Sequence, residues 1–359
     1  MRRPMRSAES LGYNLTVLRL LVFLLASILM WAQPPRSDSQ GAQLGAAAQH
    51  MQQGKTDLAI RECKSVLATD PRSAPAHMLL GLVYLSQAST AMMGEAKAEL
   101  QQALDIDPEL LWARFYLARL YLDLGLTEKA QEQLERGLKQ SPGLPHLLSM
   151  LGEVRRKLGD PRASLELNSK ALAADATMTP AHYFLALAYV DLKQEDAAIA
   201  ELEKATHSTT VTPEMYNALA SLYLKKQKFT EAEDASRMAI ALDRSRPDAY
   251  LTLARVYNAQ HFSDKALEAV RAAFPDGKQF PASEYYQGLQ ADLAVERGTA
   301  YATKKMYAQA IKEFARALDF DPLRAVVHRR LAELQMQTGD PTGAALHSKE
   351  ADKIEKSQR

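Results

Sequence analysis

The chain has 359 residues, 47% hydrophobic and 24% charged, with a formal net charge of +1 and no basic stripe, which suits a folded protein and leaves nothing to mark a nucleic-acid partner. Aromatics are only 7%, and alanine and leucine dominate, so closely packed helices are expected rather than a β-rich core. A single cysteine, Cys63, excludes an intramolecular disulfide and a cysteine-based metal cage.

The first residues read as a targeting segment. Arg2, Arg3, Arg6 and Arg19 precede an apolar run from Leu20 to Ala32. The run is closer in length to a signal-peptide core of about 7–15 residues than to a span of about 20. Pro34 and Pro35 then end any helix. Cutting after Ala32 would leave Met30 where a small residue is preferred, and Ala26 lies deep in the run. Residues 1–33 are therefore either a cleaved signal peptide or a membrane anchor through 15–32, with 34–39 as a linker. A misread helix is the third reading. No cysteine follows the run, which disfavours a lipoprotein. No second apolar run is long enough to span a bilayer, so the remainder is expected to be soluble and exported, in a periplasmic or extracytoplasmic setting.

From residue 40 the chain repeats. Ala59, Ala96, Ala130, Ser164, Ala198, Ala232, Ala266, Ala310 and Ala344 stand 37, 34, 34, 34, 34, 34, 44 and 34 residues apart. Seven residues after each come Val66, Ala103, Gly137, Ala171, Ala205, Ala239, Ala273, Ala317 and Ala351. In the preceding helix a second small column runs through Ala47, Gly81, Ala118, Gly152, Ala186, Ala220, Ala254, Gly298 and Ala332. Helices approach closely only where side chains are small at the crossing. Leucines such as Leu117 and Leu185, and tyrosines such as Tyr121 and Tyr257, fill the space beside it.

Turn chemistry places the helix ends. Gly54, Gly125, Gly159 and Gly339 stand where a left-handed terminus is needed. Gly159-Asp160-Pro161 and Gly339-Asp340-Pro341 read as stop, N-cap and first-turn proline. Thr230 with Glu233 reads as a capping box. Asp70-Pro71, Asp107-Pro108, Ser141-Pro142 and Asp321-Pro322 close second helices.

These columns resemble the tetratricopeptide repeat family over roughly residues 40 to 359. The expected fold is all-α, a superhelical solenoid of about nine helix-turn-helix repeats behind the signal or anchor segment. Repeats one to seven would fill 40–280, and repeats eight and nine 281–359. Repeat one departs from the pattern at His50, Cys63 and Val66, and repeat four at Arg155, Ser164 and Asn168. About three extra residues fall near Ser89 to Gly94 and about ten more between Ala273 and Ala291. The second insertion reads as part loop and part extended helix, the helix starting near Pro281.

Phosphate-loop, HExxH and Gly-x-Ser-x-Gly motifs are absent from the sequence. The eight histidines look scattered, several at positions facing neighbouring helices, so neither a metal site nor a cofactor is expected. Glu201, Glu203, Glu231 and Glu233 read as solvated charges, and Cys63 as either a small core residue or a reactive thiol. No stretch outside the repeats has room for a catalytic domain, so no enzyme is expected.

The family resemblance implies a concave groove lined by first helices. On this chain the groove positions include Met78, Leu82, Phe115, Arg119, Tyr183 and Leu187, then Asn217, Ser221, Arg255, Asn258 and Arg329. Trp112 either covers the same region or packs on the preceding repeat. Phe115 and Tyr183 are the favoured contacts, because the core slots of their repeats are already filled. The groove should turn from apolar to polar and basic along the chain. A clamp for a C-terminal carboxylate is not recognisable. The expected role is an envelope scaffold for protein or peptide partners, with a recruiting subunit of a separate enzyme as the alternative.

Overall fold

Where the small-residue ladder runs, helices cross. The computed structural model describes residues 39–87, 90–273 and 284–358, and among these every element is a helix. The targeting segment and its linker lie outside the described residues, apart from Ser39.

The helices form sequential hairpins. The first five are α1 (Ser39–Gln52) with α2 (Thr56–Thr69), α3 (Ala74–Ser86) with α4 (Thr90–Ile106), α5 (Leu111–Asp123) with α6 (Thr127–Gln140), α7 (Pro145–Lys157) with α8 (Pro161–Ala174), and α9 (Thr179–Asp191) with α10 (Glu195–Thr206). Four more follow: α11 (Pro213–Lys225) with α12 (Phe229–Leu242), α13 (Pro247–Ala259) with α14 (Ser263–Ala273), α15 (Glu284–Thr303) with α16 (Tyr307–Phe320), and α17 (Ala325–Thr338) with α18 (Pro341–Gln358). The chain divides into two compact units, one ending at Val211 and the other starting at Thr212. The first contains α1–α10 and the second α11–α18. The division expected at residue 281 falls among residues outside those described.

Both insertions are taken up by helix as far as the described residues go. The first lengthens α4 to 17 residues. The second leaves α15 with 20 residues, against 13 in α3, α5, α7, α9, α11 and α13.

The ladder is buried in both units. In the first, Ala47, Ala118, Ala186, Ala59, Ala96, Ala130 and Ala198 have no exposed surface. In the second, Ala220, Ala254, Ala232, Ala266 and Ala310 have none either. Glycine appears at the crossing where the opposite helix sends a large or upright side chain into it. A Cβ at Gly81 would stand 2.9 Å from Leu100, and one at Gly298 would stand 3.0 Å from Phe314. At Gly152 it would stand 2.3 Å from the amide nitrogen of Asn168.

Asn168 belongs to a buried polar set that replaces hydrocarbon in the fourth hairpin. Ser149 donates to its Oδ1 at 2.9 Å, and its Nδ2 donates to the Ser164 carbonyl at 2.9 Å. All three residues are buried, and the network satisfies them internally. Cys63, in the first hairpin, is a free buried thiol pushed up to about 12, first by burial and then by Glu62 and Glu99.

The helix ends follow a second ladder. Gly54, Gly125, Gly159 and Gly339 all have positive φ. The same register in other hairpins holds Lys193, Gln227, His261 and Lys305, also with positive φ, between 58° and 60°. Asp160 caps α8 by accepting from the Ala163 amide at 3.0 Å, and Asp340 accepts from Gly343 at 2.9 Å. The expected capping box is corrected: α12 starts at Phe229 after Lys228, so Thr230 lies inside the first turn. Glu233 serves another purpose, accepting from the Tyr257 hydroxyl at 2.8 Å and from Arg237.

One register position links the two helices of a hairpin by polar contact. His77 Nδ1 meets Glu99 at 2.6 Å, and His182 Nδ1 meets Glu201 at 2.6 Å. Their Nε2 atoms reach the Pro71 and Ala176 carbonyls at 3.1 and 3.2 Å. Arg114 fills the same place with Gln133 at 3.2 Å and the Pro108 carbonyl. His328 does so with His347 at 2.9 Å and the Pro322 carbonyl at 3.1 Å. Leu148 and Leu167 pack there without polar atoms. Glu201 is thus not a solvated charge, whereas Glu203 and Glu231 are exposed as expected. Burial raises the Glu201 carboxyl, but hydrogen bonds from Lys204 and His182 outweigh it and hold the group below its usual range.

Two measurements check this packing. Gly152→Ala should destabilise the protein by about 1–3 kcal/mol in urea melts, because Asn168 cannot retreat without breaking its bonds. Gly143→Ala, with open space around it, should stay within about 0.5 kcal/mol. Glu201→Gln should lower the melting temperature at pH 7. A depressed carboxyl stabilises above its unfolded pKa of about 4.3 and stops doing so as pH falls through the folded value. The gap between wild type and variant should therefore close in melts taken below pH 4.

Candidate functional site

The first helices of neighbouring hairpins touch, α5 on α7 and α7 on α9 in the first unit, and α11 on α13 and α13 on α15 in the second. Each unit thereby presents a first-helix face, running over α5, α7 and α9 in the first and over α11, α13 and α15 in the second. The residues that sequence reasoning assigned to it divide into a buried layer and a half-exposed one.

Met78, Leu82, Phe115 and Tyr183 are 2%, 0%, 3% and 5% exposed. The reading that Phe115 and Tyr183 have no core slot left to fill is corrected by this burial. A first helix packed by its own partner and by two neighbours buries more than one stripe, so these side chains close the space between successive first helices. Phe115 meets Tyr116 edge-on at 5.3 Å, and Tyr183 lies 5.7 Å from Phe184.

Trp112 lies half-buried above this layer. Its ring meets Phe115 of its own helix edge-on at 5.6 Å and His146 of the following repeat at 5.4 Å, so these ring contacts run forward along the chain and not to the preceding repeat. His146 stands 34 residues after Trp112, in the same register of the next first helix. Burial pushes the His146 imidazole down, opposed in part by Asp175. The two rings make an aromatic surface whose base is Phe115 and the fully buried Tyr116. Arg119 is paired with Asp123 at 3.3 Å, and Leu187 is half-buried. Between them Arg156 bridges Glu153 at 2.8 Å and Asp191 at 2.9 Å, joining α7 to α9.

The second unit's face is polar, as expected, but not basic. Arg255 is held by Asp292 at 3.2 Å and Glu296 at 3.3 Å. Asn258 donates to the Glu296 carbonyl and carboxylate, both at 2.9 Å. Arg246 pairs with Glu214 and with Asp248 at 2.8 Å, and Asn217 donates to Asp248 at 3.3 Å. Arg324 pairs with Asp292 and Asp321. Ser221 is exposed, with its hydroxyl turned to the Asn217 carbonyl at 2.9 Å. Arg329 is bound to Asp352 and Glu355. The carboxylates that neutralise this face were missed by sequence reasoning. Glu214, Asp248 and Asp292 occupy the Trp112 register, which would have pointed to them. Burial raises the Glu296 carboxyl, against the hydrogen bond from Asn258 and the charge of Arg255.

Among the described residues no three His, Cys, Asp or Glu side chains converge to hold a metal ion, and no helix is long and apolar enough to cross a membrane. The faces offer aromatic edges in the first unit, and amides and paired charges in the second.

Tetratricopeptide repeat models match residues 44–110, 92–153, 156–222, 213–246 and 291–322. The human protein O-mannosyl-transferase TMTC1 is 27% identical over 229 residues, which is 61% of this chain and 24% of that protein. Among solved structures, the APC/C hetero-tetramer Cut9–Hcn1 aligns with a TM-score of 0.60 at 17% identity, covering 94% of this chain and 80% of that one. A structure titled for Pseudomonas aeruginosa pilF aligns with a TM-score of 0.51 at 20% identity, covering 64% and 98%. The chain thus spans less than a quarter of the length of the curated relative, and the structural likenesses establish the fold alone.

The charge ladder is testable by itself. Arg255→Ala should destabilise by about 1–3 kcal/mol in urea melts, because it leaves the Glu296 carboxylate without its counter-charge. Glu296→Gln should cost less, since an amide keeps the bond with Asn258 and needs no counter-charge.

Proposed function

Because the chain belongs to the tetratricopeptide repeat family, we propose that it binds protein or peptide partners on its first-helix faces and performs no catalysis of its own. The observation that carries this reading is the Trp112–His146 surface. Its two half-exposed rings lie edge-on over a fully packed base, so the surface can cover a partner's apolar side chain without rearranging the core. An extended or helical segment laid across successive first helices would then meet Arg119 and Leu187. In the second unit the corresponding positions are Asn217, Ser221, Arg255 and Asn258, suited to backbone amides and carbonyls. Family membership supports a partner-binding role. The transferase activity in the relative's name is not carried over, because so small a part of that protein is matched.

The setting we infer is exported or membrane-tethered. Its support is the arginine-led apolar run from Leu20 to Ala32, read from sequence.

The test is paired. Wild type and a Trp112→Ala/His146→Ala variant are compared by affinity capture from the envelope fraction, with circular dichroism as the check on folding. Loss of a central aromatic anchor weakens binding by about 2 kcal/mol or more, over tenfold. The reading fails if the folded variant keeps all its partners at wild-type affinity. A single stoichiometric enzyme among the partners would make the chain a recruiting subunit instead of a scaffold.

A further inference from the structure

The hairpin-linking register described above varies along the chain in a consistent way. His77 and His182 face carboxylates, Arg114 faces an amide, and Leu148 faces Leu167. Among the described residues an imidazole faces another imidazole in the last hairpin alone, His328 Nδ1 lying 2.9 Å from His347 Nδ1.

The chemistry of that pair differs from the others. A glutamate beside His77 or His182 is an anion that holds the proton on Nδ1. The last hairpin has no anion in that place. His328 Nε2 lies 3.1 Å from the Pro322 carbonyl, which can only accept, so Nε2 carries the hydrogen. Neutral His328 then presents an Nδ1 lone pair in a fixed direction. A backbone carbonyl orienting the far nitrogen is the support that metal-ligating imidazoles use. His347 Nδ1 donates to that lone pair and stands on a half-buried side chain at the open side of α18.

Ligand type selects the ion, since imidazole nitrogen suits Cu2+ and Ni2+. The 2.9 Å separation is that of a hydrogen bond met nearly head-on, with ring centroids 5.1 Å apart. The half-buried His347 ring must therefore swing for both lone pairs to converge on one ion at about 2.0 Å each. We propose that His328 and His347 form a two-imidazole site for a divalent transition-metal ion of tetragonal preference, Cu2+ or Ni2+, with water completing the coordination shell.

Binding needs the His347 ring to turn and its proton to move. The His347 proton leaves Nδ1 and is taken up at the solvent side on Nε2, so both Nδ1 lone pairs meet the metal. No proton is lost overall and no electron is transferred. The ion replaces a hydrogen bond and joins α17 to α18.

The experiment uses the full chain with Cu2+ at less than one equivalent, read by electron paramagnetic resonance, and Ni2+ by calorimetry in a non-chelating buffer. Two variants are chosen from pairs that this chain already tolerates at the same register. His347→Glu restores the imidazole–carboxylate link, and His328→Leu/His347→Leu copies Leu148 and Leu167. We expect an axial Cu2+ signal coupled to two nitrogens in the wild type. The folded double leucine variant should lose that signal and one equivalent of binding, with affinity at least ~10-fold weaker. His347→Glu, which keeps one imidazole and adds a carboxylate, should lose the coupling to one nitrogen. His182→Leu/Glu201→Leu should bind as the wild type does. Affinity within twofold of wild type in the folded double leucine variant, or a wild-type signal carrying a single nitrogen, would overturn the site.

Discussion

The hairpins of this protein depend on two helices crossing at a point where the residues are small, alanine or glycine in all but the fourth hairpin's Ser164. The ladders through Ala118 and Ala130 in the first unit, and Ala254 and Ala266 in the second, show that constraint at full burial. With so small a contact at the crossing, one hairpin cannot hide its own apolar surface. Leucines and tyrosines beside the crossing therefore reach a neighbouring hairpin, as Tyr257 reaches Glu233 and Arg237 of the one before it, and stability passes from neighbour to neighbour. The glycines follow the same logic. Gly81, Gly152 and Gly298 stand where Leu100, Asn168 and Phe314 fill the space that an alanine methyl would take.

The parts of this architecture that were legible in the sequence are those written as a period. Small residues recurring at 34 fix the crossings, and the glycines and Asp-Pro pairs fix the ends. Lys193, Gln227, His261 and Lys305 adopt the same left-handed conformation without the residue type that would reveal it. They could be found only by carrying the register across from Gly159 and Gly339. The capping box failed for a related reason: Thr230 and Glu233 match a local motif, but the hairpin register puts the N-cap of α12 two residues earlier, at Lys228.

The candidate site was legible in location and not in depth. Counting along the repeats placed Phe115, Tyr183, Trp112 and Arg255 on the first helices. Spacing alone could not separate the buried layer from the half-exposed one, because a helix enclosed by three neighbours has little free face. Charge was harder still. Arg255 and Arg329 read as a basic surface, yet Asp292, Glu296, Asp352 and Glu355 answer them from other helices. Complementarity between elements leaves no mark within either element. The histidines were similar: His77, His182 and His328 look scattered until they are laid in register, where each meets its counterpart across the hairpin.

The Ser149–Asn168–Ser164 set gives the fourth hairpin a different response to strain from its neighbours. Prying apart an aliphatic crossing bares hydrocarbon to solvent, whereas here water can take over each of the bonds that is lost. The seam between α7 and α8 is thus the crossing in the first unit whose opening bares polar groups along with hydrocarbon. Because Asn168 is held by Ser164 on its own helix, its Oδ1 stays aimed at the one place where Ser149 can meet it, so the seam recloses in one register. A polar patch inside an otherwise oily stack in this way lends the crossing fidelity of return.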